Sequence, residues 1–169
     1  MMRLALGIAM QFCVAISAQA DKPRWLLNAD GLGPVRIGMH VAEVNRVLPA
    51  TITPSPVGAR VTPDCDYQNI PSYPGLSLVF IDDKVARIDV TAPGIRSING
   101  TEVGQRERDV ASRLPEGKWE KLDHVDSGKS LLVTKPGQHH ALSFQFEDQR
   151  LVRIIAGSHP VIDYAEGCE

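Results

Sequence analysis

An offset of 66 residues relates two halves of this chain, and nothing else in the sequence constrains the fold as strongly. IGMHVAEVNRVLP at 37–49 realigns with VGQRERDVASRLP at 103–115, and LSLVFIDDKVARIDV at 76–90 realigns with LSFQFEDQRLVRIIA at 142–156, without a gap. The paired positions include Gly38/Gly104, Val44/Val110, Leu48/Leu114, Phe80/Phe146, Asp82/Asp148 and Ile88/Ile154. One offset shared by two blocks is the mark of a supersecondary unit that was duplicated and packs against its copy. The expected repeats span about 33–92 and 99–158.

Each unit opens on a glycine turn and a short helix. Val41, Val44, Val47 and Leu48 recur at helical spacing, and Pro49 ends the stretch. In the second unit the stripe thins to Val103, Val110, Ala111 and Leu114. Glu107, Arg108 and Asp109 load the first turn with charge, which predicts a helix lying shallower in the core. Three strands are expected after each helix. Residues 76–81 alternate, turn at Asp82-Asp83 and return along 85–90, with Leu78, Phe80, Ala86, Ile88 and Val90 toward the core; 142–146 and 151–155 do the same in the second unit. The first strands are expected at 66–69 and 131–135. The breaker-rich stretches 51–63 and 116–129 read as surface loops. The predicted fold class is α+β: two tandem helix–β–β–β repeats forming one antiparallel sheet with helices on one face. Val79 and Ile81 point to the other face; the apolar tail at 159–164 is the economical cover for them, the alternative being that they form part of a partner-binding surface.

Arg3, an apolar run over 4–16 and the small-x-small triplet Ala18-Gln19-Ala20 predict a secretory leader over 1–20, with a single domain over 21–169 consisting of the two repeats and a C-terminal tail. The apolar run is too short to span a membrane, so no anchor is expected after cleavage, and a periplasmic or secreted location follows. Without Arg3 the chain has 17 basic and 20 acidic residues, a mild balance with no run of cations to track a phosphate backbone. Nucleic acid is therefore not an expected partner. After the leader only Cys65 and Cys168 remain. In an oxidising compartment such a pair predicts one disulfide, because no CxxC or Cys/His spacing supports a metal site.

Ile37-Gly38-Met39 with Val44 and Leu48, then Phe80-Ile81-Asp82-Asp83-Lys84-Val85, resembles the repeat of the β-lactamase inhibitor protein and of the small lipoprotein of the outer-membrane β-barrel assembly machinery. Val103-Gly104, Val110, Leu114 and Phe146-Glu147-Asp148 extend the resemblance to the second unit, and Tyr164-Ala165-Glu166-Gly167-Cys168 resembles the ending of small secreted proteobacterial proteins. The chain departs from that pattern in having no lipidated cysteine and one possible bridge in place of one per unit. Proteins of this shape bind other proteins, so the resemblance implies a binding module with an unidentified protein partner and does not name its ligand.

No catalytic or cofactor motif emerges. Ser158-His159 lacks the glycines of a nucleophile elbow. His139 and His140 are adjacent, so on a strand they point to opposite faces and make a poor chelating pair. His124 with Asp123 and Asp126 reads as solvated loop charge, and the Asp82-Asp83 pair as turn chemistry. Trp25 is expected to dock on the core edge. Trp119 and Tyr73, both in loops, are the candidate partner-binding residues, since exposed aromatics dominate binding hot spots. The expected function is a secreted protein-binding or inhibitory module with no catalytic activity, metal or cofactor. A structural part of the cell envelope or outer-membrane assembly is the alternative, and a small hydrolase or metal-dependent enzyme ranks third.

Overall fold

A computed structural model describes residues 25–122, 128–134, 139–165 and 167–168. The leader assigned to 1–20, the cluster of Asp123, His124 and Asp126, and Pro136-Gly137 lie outside the described residues. In chain order the elements are β1 (Leu26–Asn28), β2 (Gly31–Leu32), β3 (Val35–Arg36), α1 (Val41–Val47), β4 (Cys65–Asn69), β5 (Leu76–Ile81), β6 (Lys84–Val90), β7 (Arg96–Ser97), α2 (Glu107–Ala111), β8 (Lys118–Lys121), β9 (Lys129–Thr134), β10 (His140–Glu147) and β11 (Arg150–Ser158). Four strands form one sheet in the order β3-β2-β1-β7, and seven form a second in the order β4-β5-β6-β11-β10-β9-β8. The larger sheet is antiparallel throughout.

This architecture overturns the expected α+β fold of two helix–β–β–β repeats on a single sheet. The described residues are mostly β, at 43% strand against 13% helix, and form two sheets and two α-helices. Segments of seven and five residues make poor helices in water and persist only by packing. Gly33-Pro34 and Gly38 lie in turns, as expected, but the residues around them form the short strands β1, β2 and β3, and 118–121, read as loop, forms β8. Strands of two to four residues are too short for a period-two signal, so partner pairing decides them.

One core fills the space between the larger sheet's inner face and a cover made of α1, α2 and the small sheet. Leu76, Leu78, Phe80, Ile88 and Val90 meet Leu142, Phe144, Phe146, Ile154 and Ala156 there. Leu27, Leu32 and Val35 close it from the small sheet, and Val44, Leu48, Val110 and Leu114 from the helical segments. Val110 is as fully buried as Val44, so α2 is not the shallower helix; Val47, expected in the first stripe, is exposed. The expected inward Ala86 is displaced by Val85. The register shifts between Val79 and Phe80, pairing Phe80 with Val85, and a bulge of this kind reverses strand parity. The same shift between Gln145 and Phe146 brings Leu151 inward.

Both long hairpins turn on two residues at positive φ: Asp82 (50°) and Asp83 (59°), then Asp148 (46°) and Gln149 (62°). Such turns match the right-handed strand twist. Each turn also anchors the segment leading into a helix. Gly38 N–H donates to the Val85 carbonyl and Gly104 N–H to that of Leu151, both at 2.7 Å.

The C-terminal tail covers part of the outer face. After β11 a single 3₁₀ turn (Val161–Asp163) puts Ile162 against Ala141, Ile155 and Leu132. Farther on, Cys168 bonds to Cys65, their Cα atoms 5.8 Å apart, and packs with Val79, Tyr67 and Ile81. The bridge spans 103 residues, for which chain entropy predicts at most about 4–5 kcal/mol. Between these points Arg87, wholly buried, clamps the tail. Its guanidinium forks onto Asp89 (Nε–Oδ1 2.6 Å, Nη2–Oδ2 3.1 Å) and donates through Nη1 to the carbonyls of Val161 and Tyr164. Val79 therefore contributes to packing under the tail.

Candidate functional site

Trp119 lies on β8, the outermost strand of the larger sheet, and is 47% exposed. Register explains why. Leu76, Val90, Ile154, Phe144, Leu131 and Trp119 stand opposite one another strand by strand. The first five are buried, so Trp119 is the last member of a core row, and among the described residues no strand lies beyond it. Its ring lies 5.6 Å from that of Phe146, and the Lys129 ammonium sits 4.9 Å from its centroid. An aromatic held between a core ring and a cation is pre-ordered while half of it still faces solvent.

Beside it is a cleft of about 460 Å³ lined by Arg106, Glu107, Arg108, Lys129, Asp148, Gln149 and Arg150. The start of α2, the β10–β11 turn and β9 supply these residues. Backbone bonds fix the arrangement: Glu107 N–H donates to the Gln149 carbonyl at 3.0 Å, and Arg106 bridges Arg150. Lys129 joins cleft to ring, because the ammonium over Trp119 also reaches Glu107 Oε1 at 2.8 Å. The other carboxylate oxygen, Oε2, is buried with no hydrogen-bond partner among the described residues. A buried acceptor left this way costs about 1–3 kcal/mol. Arg106, Arg108 and Arg150 are exposed around it.

Tyr73 sits elsewhere. It lies in the loop between β4 and β5, half-buried, with its ring stacked on Trp25 at 5.1 Å, and both rings pack against the core. From β5 to β8 the sheet order takes five steps, about 24 Å at the usual strand spacing. The structure thus does not bring Tyr73 and Trp119 to one surface. Trp25 also lines a second cleft, with Leu26, Gly94, Arg96 and Glu102, where Arg96 pairs with Glu102 at 2.9 Å.

His139 precedes β10 and His140 opens it; His140 Nδ1 lies 2.9 Å from Asp30 Oδ1. His159 makes the equivalent contact with Asp163 at 2.9 Å. Among the described residues no three His, Cys, Asp or Glu side chains gather as a metal-ligand set. The most heavily bonded carboxylate is Asp66 on β4. Burial raises its pKa, but the Ser55 N–H, the Gln68 amide, the Ser55 hydroxyl and nearby Arg60 outweigh that and hold it below the ordinary value. Its role is to fix the long loop before β4.

The cations of this cleft form no run in the sequence, so charge patterning alone does not reveal it. The available signal was the comparison of the two units, since Arg106 and Arg108 replace His40 and Ala42 at the 66-residue offset. No family model matches the chain, no curated protein matches its sequence, and no solved structure matches its fold.

Proposed function

We propose that this chain is an exported protein-binding module, periplasmic or secreted, that works by inhibition or occlusion and performs no chemistry of its own. The observation that carries this reading is Trp119, a large ring half exposed and held rigidly at a sheet edge. Rings of this kind lose little freedom on contact and are enriched among binding hot spots. The one-disulfide framework supports the same reading, as do the expected leader and the resemblance of the sequence motifs to inhibitor and assembly modules. Tyr73, stacked on Trp25, contributes through the stability of its loop.

The test is capture from periplasmic extract of the parent cells by the immobilised chain, beside Trp119→Ala, Trp119→Phe and a surface control, Val61→Ser. Trp119→Ala should weaken capture of any specific partner by at least about 1 kcal/mol, roughly fivefold. Trp119→Phe should recover part of that, and the control should behave as the parent. Binding is compared where all four proteins are folded, because Trp119 also packs on Phe146. Equal capture by the alanine variant, or substrate turnover abolished by a chelator, would refute the proposal.

A further inference from the structure

We infer that the cleft beside Trp119 receives an acidic segment of the partner protein, its carboxylates against Arg106, Arg108 and Arg150. This rests on the protein-binding reading and names the chemistry of the partner. Four cations and two carboxylates line the cleft, an excess of two positive charges on a chain whose net charge is −2. The cations come from three separate stretches of chain: Arg108 lies 3.5 Å from Asp109 and Lys129 2.8 Å from Glu107, while the exposed Arg106 and Arg150, bridged through their backbones, bring two further cations together. Carboxylates match the planar donor fork of arginine.

The anion's carrier follows from the rest of the site. Glu107 Oε2, buried and without a hydrogen-bond partner among the described residues, is an acceptor that repels anions. A peptide brings N–H donors along with its carboxylates, whereas a phosphate ion brings chiefly acceptors. Nucleic acid would set a row of phosphates against Glu107 and Asp148. Trp119, 47% exposed with the Lys129 ammonium over its ring, adjoins the cleft and offers apolar surface to the side chains of such a segment.

The probe is a short fluorescein-labelled peptide alternating glutamate and valine, followed by fluorescence polarisation and by the emission of Trp119, using Trp25→Phe as background. Saturable binding is expected. Arg108→Gln/Arg150→Gln should weaken it about tenfold, since each exposed pair is worth up to about 1 kcal/mol. Trp119→Ala should weaken it by a similar factor, and a lysine–valine peptide should not bind. Near-UV circular dichroism establishes that the double variant is folded. No binding of the glutamate peptide, or binding unaffected by the double variant, overturns the inference. So does full displacement by millimolar inorganic phosphate, which marks an ion site only, or tighter binding of an oligothymidine. If the peptide fails while partner capture still depends on Trp119, only the acidic-segment inference falls. If neither depends on Trp119, the protein-binding reading falls with it.

Discussion

Replacing Arg87 with methionine should be among the most damaging single changes outside the apolar core. Both side chains of the Arg87–Asp89 pair are buried, at 0% and 1% exposure. Methionine keeps much of the aliphatic stem and removes the guanidinium. Asp89 then loses both of its arginine hydrogen bonds, and the carbonyls of Val161 and Tyr164 lose the Nη1 donor. Removing one partner of a buried ion pair costs about 3–5 kcal/mol, most of it the penalty of a stranded charge. Arg87→Met/Asp89→Leu removes that charge as well and leaves the Tyr164 carbonyl without its donor, worth about 1–3 kcal/mol, while the Val161 carbonyl keeps the Tyr164 N–H. The double variant should therefore be more stable than Arg87→Met by at least about 1 kcal/mol. Urea unfolding with the disulfide intact, followed by circular dichroism, measures both. Amide exchange gives the local readout: the Asp163 and Tyr164 N–H groups, bonded within the 3₁₀ turn, should exchange faster in Arg87→Met. A cost below about 1 kcal/mol for the single variant, or a double variant no more stable than it, would show that the pair does not hold the tail.

Phe80→Ala and Phe146→Ala should each cost about 3–5 kcal/mol in urea melts, and to a similar extent, because both rings are buried in one cluster; a much smaller loss for Phe146 would contradict the equal depth of the two halves. Asp66 gives a pH dependence whose sign is fixed by its lowered folded pKa. Its contribution is fully present above the unfolded carboxylate pKa, near 4, and is lost as pH falls through the folded value. Asp66→Asn should flatten the acid limb of stability below about pH 4, and an unchanged limb would assign that limb to other carboxylates.

Some of this protein was legible residue by residue. Alternation on either side of Asp82-Asp83 and of Asp148-Gln149 marked the hairpins, because a two-residue turn and its flanking strands are specified within about a dozen residues. Two cysteines outside the expected leader marked the bridge, and the apolar outward residue Val79 marked the need for a cover. Other features had no local code. Whether Lys118–Lys121 is a loop or a strand depends on β9 being beside it, and the small sheet depends on β1 meeting β7 across some 70 residues of chain. The reversal from Ala86 to Val85 follows from a bulge whose position is set by pairing across the sheet. The cleft is the strongest case. Arg106, Arg108, Lys129 and Arg150 are scattered in sequence and repel one another, so no propensity or periodicity draws them together. Backbone bonds between the α2 segment and the β10–β11 turn, and the pairing of β9 with β10, do so. Local preference decides turns and alternation because its range is a few residues, while sheet order, buried charge and the meeting of distant side chains are decided by which surfaces the whole chain can bury together.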